Sequence, residues 1–120
     1  MKLRATASFV LAASLFAPVL HADARSEARQ QVIFGISVAQ KGLWREAVYR
    51  WEQAVKIDPT YAEAFNDLAV GYEQIGEFEK ARQTYEKALE LEPDNSQIRQ
   101  NYDLFREVNE RVDAERDSQP

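Results

Sequence analysis

Apolar residues recur every three or four positions along most of the chain, which is the spacing of an amphipathic helix. One stripe consists of Phe65, Leu68, Ala69 and Tyr72. Gly76 then interrupts the pattern, and a second stripe follows that consists of Phe78, Ala81, Tyr85, Ala88 and Leu89. Pro93 ends this second helix, since proline cannot continue a helix. The pattern therefore predicts two helices, and so short a connection makes them antiparallel.

The same pattern occurs twice. Residues 28–61 align without a gap with residues 62–95, which gives two blocks of 34 residues. The identical pairs are Ala28/Ala62, Gln40/Gln74, Gly42/Gly76, Ala47/Ala81, Glu52/Glu86, Ala54/Ala88 and Pro59/Pro93. Most of these residues are Gly, Ala or Pro, which occur where side-chain size or backbone geometry restricts the choice of residue. A fixed period of this length indicates a stack of repeated helical hairpins.

The sequence predicts side-chain N-caps at the starts of two helices. Thr60 and Glu63 have the spacing of a capping box, which predicts the start of the first helix in the second block. Asp94 and Gln97 offer a cap for the helix that follows the second block.

The repeated residues resemble the tetratricopeptide repeat family. The second block carries the family's pattern at Phe65, Leu68, Ala69, Tyr72, Gly76, Phe78, Ala81, Tyr85, Ala88 and Pro93. The first block matches at Phe34, Gly35, Gly42, Trp44, Ala47, Trp51, Ala54 and Pro59. It departs from the pattern at Gln31 and Val38, where the family favours a large apolar residue and Tyr. The resemblance implies an all-α fold, a short right-handed α-solenoid of two helix-turn-helix repeats plus a capping helix.

Neighbouring repeats in such a stack share an apolar interface, so the array should end where that interface turns polar. The positions that would face a preceding repeat are Ala64, Leu68 and Gly71 in the second block, but Gln30, Phe34 and Ser37 in the first. Two of the latter three are polar. We therefore predict that no repeat packs before residue 28.

Residues 96–115 are predicted to form the capping helix. Ile98, Tyr102 and Phe105 would face the second repeat, whereas Arg99, Asp103 and Arg106 occupy the side on which a partner helix would pack. A polar side at that position predicts a solvated end of the array. The polar residues 113–120 are expected to fray, with 116–120 as a disordered tail.

Composition limits the possible chemistry. The chain has 120 residues, with 15 Lys and Arg against 20 Asp and Glu, no Cys and one His. This length suits one small domain. The lack of Cys excludes disulfides, thiolate nucleophiles and Cys-ligated metal sites. The net charge of -5 argues against a nucleic-acid partner, because Lys and Arg supply most of that affinity.

The N-terminal segment has the pattern of a signal peptide. Lys2 and Arg4 precede an apolar run over residues 5–20, and the Ala-Asp-Ala sequence at 22–24 has the small residues of a cleavage site. The uninterrupted apolar stretch is shorter than the roughly 20 residues that cross a membrane. We predict a cleavable signal peptide at 1–24 and no stable membrane anchor after cleavage. A retained interfacial segment and an ordinary first helix are the alternatives.

Cleavage after Ala24 would remove His21, which is the only histidine, together with Met1. The remaining chain would contain no imidazole, thiol or thioether. It would also be more acidic, because the removed segment carries two basic residues and one acidic residue. The sequence therefore favours binding over catalysis.

The other candidates for catalysis have ordinary structural explanations. Glu86 and Glu90 lie four residues apart, which is the usual spacing on a solvated helix face. The acidic positions Asp58, Asp94 and Asp113 lack the glycine-punctuated pattern of a calcium loop. We predict no catalytic residue, no metal site and no cofactor, and therefore no enzyme.

The resemblance implies a concave groove lined by the first helix of each repeat. The family's groove positions correspond here to Arg29, Val32, Ile36, Ala39, Glu63, Asn66, Val70, Glu73, Gln97, Gln100, Leu104 and Glu107. Ile36, Val70 and Leu104 share one position and would form an apolar strip with acidic and polar flanks. Such a groove suits an extended segment or a helix with apolar anchors. The alternative is that neighbouring helices cover Val70 and Leu104.

Some family members bind a C-terminal carboxylate through a clamp of Lys and Arg. The corresponding positions here are Val32, Ile36, Asp67, Gln97 and Asn101, none of which is basic. That activity is therefore not implied for this chain.

The first helix carries more apolar residues than its own repeat requires. Between Val32 and Ala39 only Ser37 is polar, and Ile33 and Ile36 extend the apolar face. An exposed apolar face on a soluble protein usually marks a contact. A protein partner or a second copy would cover it, or else the residues that follow the signal peptide would fold over it.

These patterns together predict an exported, non-enzymatic adaptor or scaffold in the cell envelope. It would reside in the periplasm or be secreted, and it would bind a protein or peptide partner through the groove and the apolar first helix. The alternative is a homo-oligomeric structural element that associates through its first helix.

Overall fold

The computed structural model describes residues 16–119, with side chains from Ala22 onward. This part of the chain contains five helices and no strand, namely α1 (Phe16–Ala39), α2 (Trp44–Ile57), α3 (Ala62–Gln74), α4 (Phe78–Leu91) and α5 (Ser96–Asp117). The predicted all-α architecture of two helical hairpins and a capping helix is confirmed.

The helices pack in the order of the repeats. α1 pairs with α2 and α3 with α4, while α2 contacts α3 and joins the two hairpins. α5 lies against α3 and α4. Gly42 and Gly76 occupy the equivalent turns, with φ angles of 77° and 80° that favour glycine. The turns therefore have the positions that the internal alignment predicts.

A tryptophan joins the two repeats in the core. Trp51 of α2 is 3% exposed and lies between Gly35 of α1 and Gly71 of α3. A Cβ atom would lie 2.7 Å from the Trp51 Cδ1 atom if placed on Gly35, and 2.9 Å from its Cζ3 atom if placed on Gly71. The indole Nε1 also donates a hydrogen bond of 3.2 Å to the Val32 carbonyl oxygen. Glycine at these two positions therefore makes room for the ring.

Alanines fill the places where helices cross most closely. Ala47, Ala54, Ala81 and Ala88 are completely buried, as expected from their repetition in the sequence. A larger side chain at such a site would displace its neighbours.

We expect Ala81→Leu to lower the free energy of unfolding by about 1–3 kcal/mol through overpacking. Glu79→Leu, on the exposed face of the same helix, should change it by less than about 0.5 kcal/mol. Thermal unfolding followed by circular dichroism compares the two variants. Equal melting temperatures would contradict the assigned repeat register.

The predicted ends of the array are polar or exposed among the described residues. Gln30, Phe34 and Ser37 are all exposed on α1. At the other end, Arg99, Asp103 and Arg106 are exposed on α5. The buried side of α5 includes Ile98 and Phe105, and Tyr102 is half-buried against the rings of Tyr85 and Phe105.

Two predicted helix caps are wrong. The residue that precedes α3 is Tyr61, which makes no side-chain capping bond. Thr60 instead donates from its Oγ1 atom to Asp58 Oδ1 over 2.6 Å, and its backbone N–H donates to the same atom over 3.0 Å. The buried Asp58 thus engages the hydroxyl in a local turn. α5 is capped by Asn95 and not by Asp94, because Asn95 directly precedes the helix and accepts from the backbone N–H groups of Gln97 and Ile98.

The last helix is longer than predicted. α5 continues to Asp117, so residues 113–117, which were expected to fray, are helical. Ion pairs between residues three or four apart occur along the C-terminal half of α5. They include Arg106 with Glu110 at 3.5 Å and Arg116 with Asp113 at 3.6 Å. Such pairs stabilise a helix that has few packing contacts. Pro120 lies outside the described residues.

The predicted signal peptide lies largely outside the described residues, which exclude 1–15. Its remainder, 16–24, forms the first turns of α1, so this helix begins well before the repeat boundary at residue 28. Arg25, which follows the predicted cleavage position, donates from Nε to Asp58 Oδ2 over 2.5 Å. Its guanidinium group also lies 4.4 Å from the Tyr61 ring centroid. Among the described helices, none has both the length and the apolarity of a membrane span.

Candidate functional site

Three helices, α1, α3 and α5, form a concave surface that consists of two adjoining depressions. The larger has a volume of about 370 Å³ and is lined by Ile36, Ala39, Gln40, Trp44, Trp51, Asn66, Asp67, Val70, Gln97 and Asn101. The smaller has a volume of about 260 Å³ and is lined by Val70, Glu73, Tyr85, Asn101, Leu104, Phe105 and Val108. Val70 and Asn101 belong to both depressions. We refer to the two together as the concave groove.

The predicted apolar strip lies along this groove. Ile36 is 41% exposed, Val70 is half-buried and Leu104 is 55% exposed. The alternative that neighbouring helices cover Leu104 is therefore wrong, whereas Val70 is partly covered. The three side chains come from α1, α3 and α5, so an extended or helical segment in the groove could contact all of them.

The other predicted groove residues have different positions. Val32 is only 6% exposed and belongs to the core, so its expected place on the groove surface is wrong. The reason is the packing of α2, since the Trp51 side chain lies against α1 at this point. Asn66, Val70, Glu73, Gln97 and Ile36 do line the groove. Leu104 and Ala39 line it as well, whereas Arg29, Glu63, Gln100 and Glu107 are exposed outside its lining.

The floor of the groove contains a pair of asparagines. Asn101 of α5 donates from Nδ2 to the Asn66 Oδ1 atom of α3 over 3.1 Å. Asn66 is almost fully buried, so this bond satisfies a polar group that has little access to water. The bond connects the capping helix to the second repeat at the floor of the groove.

Several groove residues were not predicted as binding residues. Trp51 and Tyr85 were assigned to the repeat core, and each also reaches the groove with part of its ring. Val108 continues the groove four residues after Leu104, and this helical spacing could have identified it. Asp67 occupies one of the positions at which some family members have a basic clamp residue, and the sequence alone does not indicate its burial.

The groove is acidic. Burial and the nearby Glu63 carboxylate raise the pKa of Asp67 to about 6. Burial also raises the pKa of Glu73, although the Tyr85 hydroxyl donates a hydrogen bond to Glu73 and partly opposes that effect. No Lys or Arg is among the residues that line either depression.

The described residues offer little support for metal chemistry. Among them, no group of three or more His, Cys, Asp and Glu side chains is arranged to hold a metal ion. The groove combines apolar walls with amides and two carboxylates, which is an arrangement suited to binding an extended chain.

A second surface lies on the open side of α1. Ile33 is 60% exposed and Phe34 is 46% exposed, next to the exposed Gln30 and Ser37. The Arg50 guanidinium group lies 4.3 Å from the Phe34 ring centroid and covers one face of the ring. We refer to these residues of α1 as the open face of α1.

Comparison with known proteins agrees with this geometry. The family model described as "Tetratricopeptide repeat" matches residues 62–95, and the one described as "TPR repeat" matches residues 38–76. Photosystem I assembly protein Ycf3 of Synechococcus sp. (strain CC9605) is 34% identical over 104 residues, which are 83% of this chain and 60% of that protein. Type IV pilus assembly protein PilF of Pseudomonas aeruginosa is 32% identical over 114 residues, 88% of this chain and 45% of PilF. The chain thus spans about three fifths or less of the length of these two relatives.

A solved structure shows the same fold. The C-terminal TPR-containing domain of a putative FK506-binding protein of Plasmodium falciparum superposes with a TM-score of 0.66 and 24% identity. The superposition covers 83% of this chain and 65% of that one.

Proposed function

Since the chain belongs to the tetratricopeptide repeat family, we propose that it is a non-enzymatic adaptor that binds another protein through the concave groove. The observation that carries this proposal is the apolar strip of Ile36, Val70 and Leu104, which α1, α3 and α5 place along one concave surface. The names of two relatives, Ycf3 and PilF, describe assembly proteins, which supports an adaptor role.

The groove suits a segment with apolar anchors. Fully burying an exposed Val, Leu or Ile side chain contributes about 1.5–3 kcal/mol. Two such apolar contacts would give measurable affinity only if the groove and the bound segment lose little conformational freedom on binding. The core contacts of Trp51 and the Asn66–Asn101 hydrogen bond hold the groove walls in place and reduce that loss.

We expect Ile36→Glu and Val70→Glu each to weaken partner binding about tenfold or more, because a carboxylate would replace an apolar contact. The matched control is Val112→Glu, since Val112 is 46% exposed on α5 but does not line the groove. Crosslinking and pull-down from an envelope fraction, followed by quantitative mass spectrometry, compares the four proteins. Proteins captured equally by the wild type and both groove variants would contradict the proposal.

The open face of α1 favours a second candidate, a homo-oligomer that associates through this helix. Ile33 and Phe34 are adjacent on α1 and are 60% and 46% exposed, and neighbouring exposed apolar side chains can mark a contact surface. Sedimentation at several concentrations distinguishes the candidates. Concentration-dependent association that Ile33→Glu abolishes would favour the oligomer, and a monomer at every concentration would exclude it.

We further propose that the protein is exported and acts in the periplasm or outside the cell. The basic residues, apolar run and Ala-Asp-Ala sequence within residues 1–24 support this location. We expect the exported protein to begin at Arg25, which mass spectrometry of the intact protein from a periplasmic or culture-medium fraction would show. A protein that retains Met1 and stays in the cytoplasm would contradict export.

A further inference from the structure

The concave groove contains a carboxylate without a cationic partner among the described residues. Asp67 projects from α3 into the larger depression, and none of the ion pairs formed within residues 22–119 includes it. The charged group that acts on it most is Glu63, which repels it. Removing a carboxylate from water without pairing it is unfavourable. A ligand that supplies the missing positive charge would relieve this unfavourable interaction.

The remaining walls around Asp67 are neutral. α1 contributes Ile36 and Gln40, while α5 contributes Gln97 and Asn101. Besides Glu63 on the same helix, the other titratable group that interacts with Asp67 is Tyr85 of α4. Nothing in the lining of the depression would repel a cation.

Aromatic rings complete the surroundings. Trp44 and Trp51 of α2 line the same depression as Asp67. The Trp51 ring is only 3% exposed between Gly35 and Gly71 and so contributes little surface, whereas Trp44 is half-buried. The aliphatic part of a Lys or Arg side chain packs well on this apolar surface. A long basic side chain therefore matches both the charge and the walls of this depression.

We propose that the partner of the concave groove inserts a Lys or Arg side chain into the larger depression, where it pairs with Asp67 while neighbouring apolar residues of the partner pack on Ile36 and Val70. This proposal rests on the proposed function, since it specifies the chemistry of the ligand at the same site. It makes the groove the opposite of a carboxylate-binding clamp, because its unpaired charge is negative.

The affinity of the groove for a basic side chain should depend on pH. The pKa of Asp67 is raised to about 6 by burial and by Glu63, so this carboxyl group is mostly ionised at pH 7.5 and mostly protonated at pH 5. A bound cation favours the ionised form. Binding of a basic segment should therefore weaken as the pH falls from 7.5 to 5.

The test selects ligands from a random dodecapeptide library displayed on phage, with the full chain as bait at pH 7.5. Parallel selections use Ile36→Lys, which places a cation in the depression and so blocks a basic ligand, and Asp67→Asn, which removes the charge but keeps the shape of the side chain. Circular dichroism checks that each variant is folded. The strongest peptide is then synthesised with its basic residue intact or replaced by norleucine, and both forms are titrated by fluorescence anisotropy.

We expect peptides that depend on Ile36 to be enriched in Lys or Arg at one position beside apolar residues. Replacing that residue by norleucine should weaken binding to the wild type about tenfold or more, in line with a charged hydrogen bond, but change binding to Asp67→Asn by less than about twofold. For the wild type, the difference in affinity between the basic peptide and its norleucine form should also be smaller at pH 5 than at pH 7.5.

Two other outcomes overturn the proposal in distinguishable ways. Ile36-dependent peptides without basic enrichment, or equal affinity of the Lys and norleucine forms, would refute the role of Asp67 and leave the groove as a binding site. Recovery of the same peptides by the wild type and Ile36→Lys would refute both the cationic ligand and the groove itself.

Discussion

Trp51→Ala is expected to lower the free energy of unfolding by about 3–5 kcal/mol, the range for removing a large buried aromatic side chain. The ring lies between Gly35 and Gly71 and thereby joins the first repeat to the second. Neither glycine has a side chain that could fill the resulting cavity. The variant would also lose the hydrogen bond to the Val32 carbonyl. A loss of this size is a large fraction of the 5–15 kcal/mol that is typical of a small protein.

Urea denaturation followed by circular dichroism measures this effect. Tyr49→Ala is the matched control, because Tyr49 is an aromatic residue of the same helix that is largely exposed. It should change the free energy of unfolding by less than about 1 kcal/mol. Similar losses for the two variants would show that Trp51 does not join the repeats. A loss below about 1 kcal/mol for Trp51→Ala would show the same.

Asp67→Asn is expected to stabilise the protein at pH 7.5 by about 1–3 kcal/mol. The folded protein raises the pKa of Asp67 from 3.8 to about 6, by burial first and by Glu63 second. Between these two values the folded state binds more protons than the unfolded state does, so stability falls as the pH rises through this window. A shift of about two pKa units corresponds to about 3 kcal/mol, which is an upper limit because the side chain keeps some contact with water.

Urea denaturation of the wild type and Asp67→Asn from pH 7.5 to pH 4 tests this expectation. The difference should be largest at pH 7.5 and small near pH 4, where the wild-type carboxyl group is protonated in the folded state and partly protonated in the unfolded state. Asp103→Asn on the exposed side of α5 should change stability by less than about 0.5 kcal/mol at either pH. A stabilisation that is equal at pH 4 and pH 7.5 would contradict burial of the charge.

The same substitution links stability to function. If Asp67 receives a cation from the partner, Asp67→Asn should make the free protein more stable and its binding to a basic segment weaker. Such opposite effects are common where a binding site retains an unfavourable group.

The repeat positions could be predicted from the sequence because their causes are local. Gly42 and Gly76 are required by the backbone geometry of a turn, and Ala81 is required by close helix crossing. Neither cause depends on a distant part of the chain. The helices and turns were therefore predicted from spacing and residue type alone.

Some of the errors involve contacts between distant elements. Val32 looks like a surface position on α1, but Trp51 comes from another helix and buries it. The raised pKa of Asp67 likewise depends on how α1 and α5 exclude water from α3. The error at Thr60 has a local cause instead, because Asp58, two residues earlier in the chain, accepts the Thr60 hydroxyl. The longer α5 could have been predicted, because its ion pairs are only three or four residues apart.

The central claim is that a partner protein occupies the concave groove. Photo-crosslinking in living cells tests it most directly, with benzoyl-phenylalanine introduced at Leu104 in the groove or at Glu79 on the exposed face of α4. A groove-bound partner predicts a discrete crosslinked product from position 104 that is absent from position 79 and that Val70→Glu removes. Products of equal yield from both positions, or a product at 104 that persists with Val70→Glu, would contradict the account.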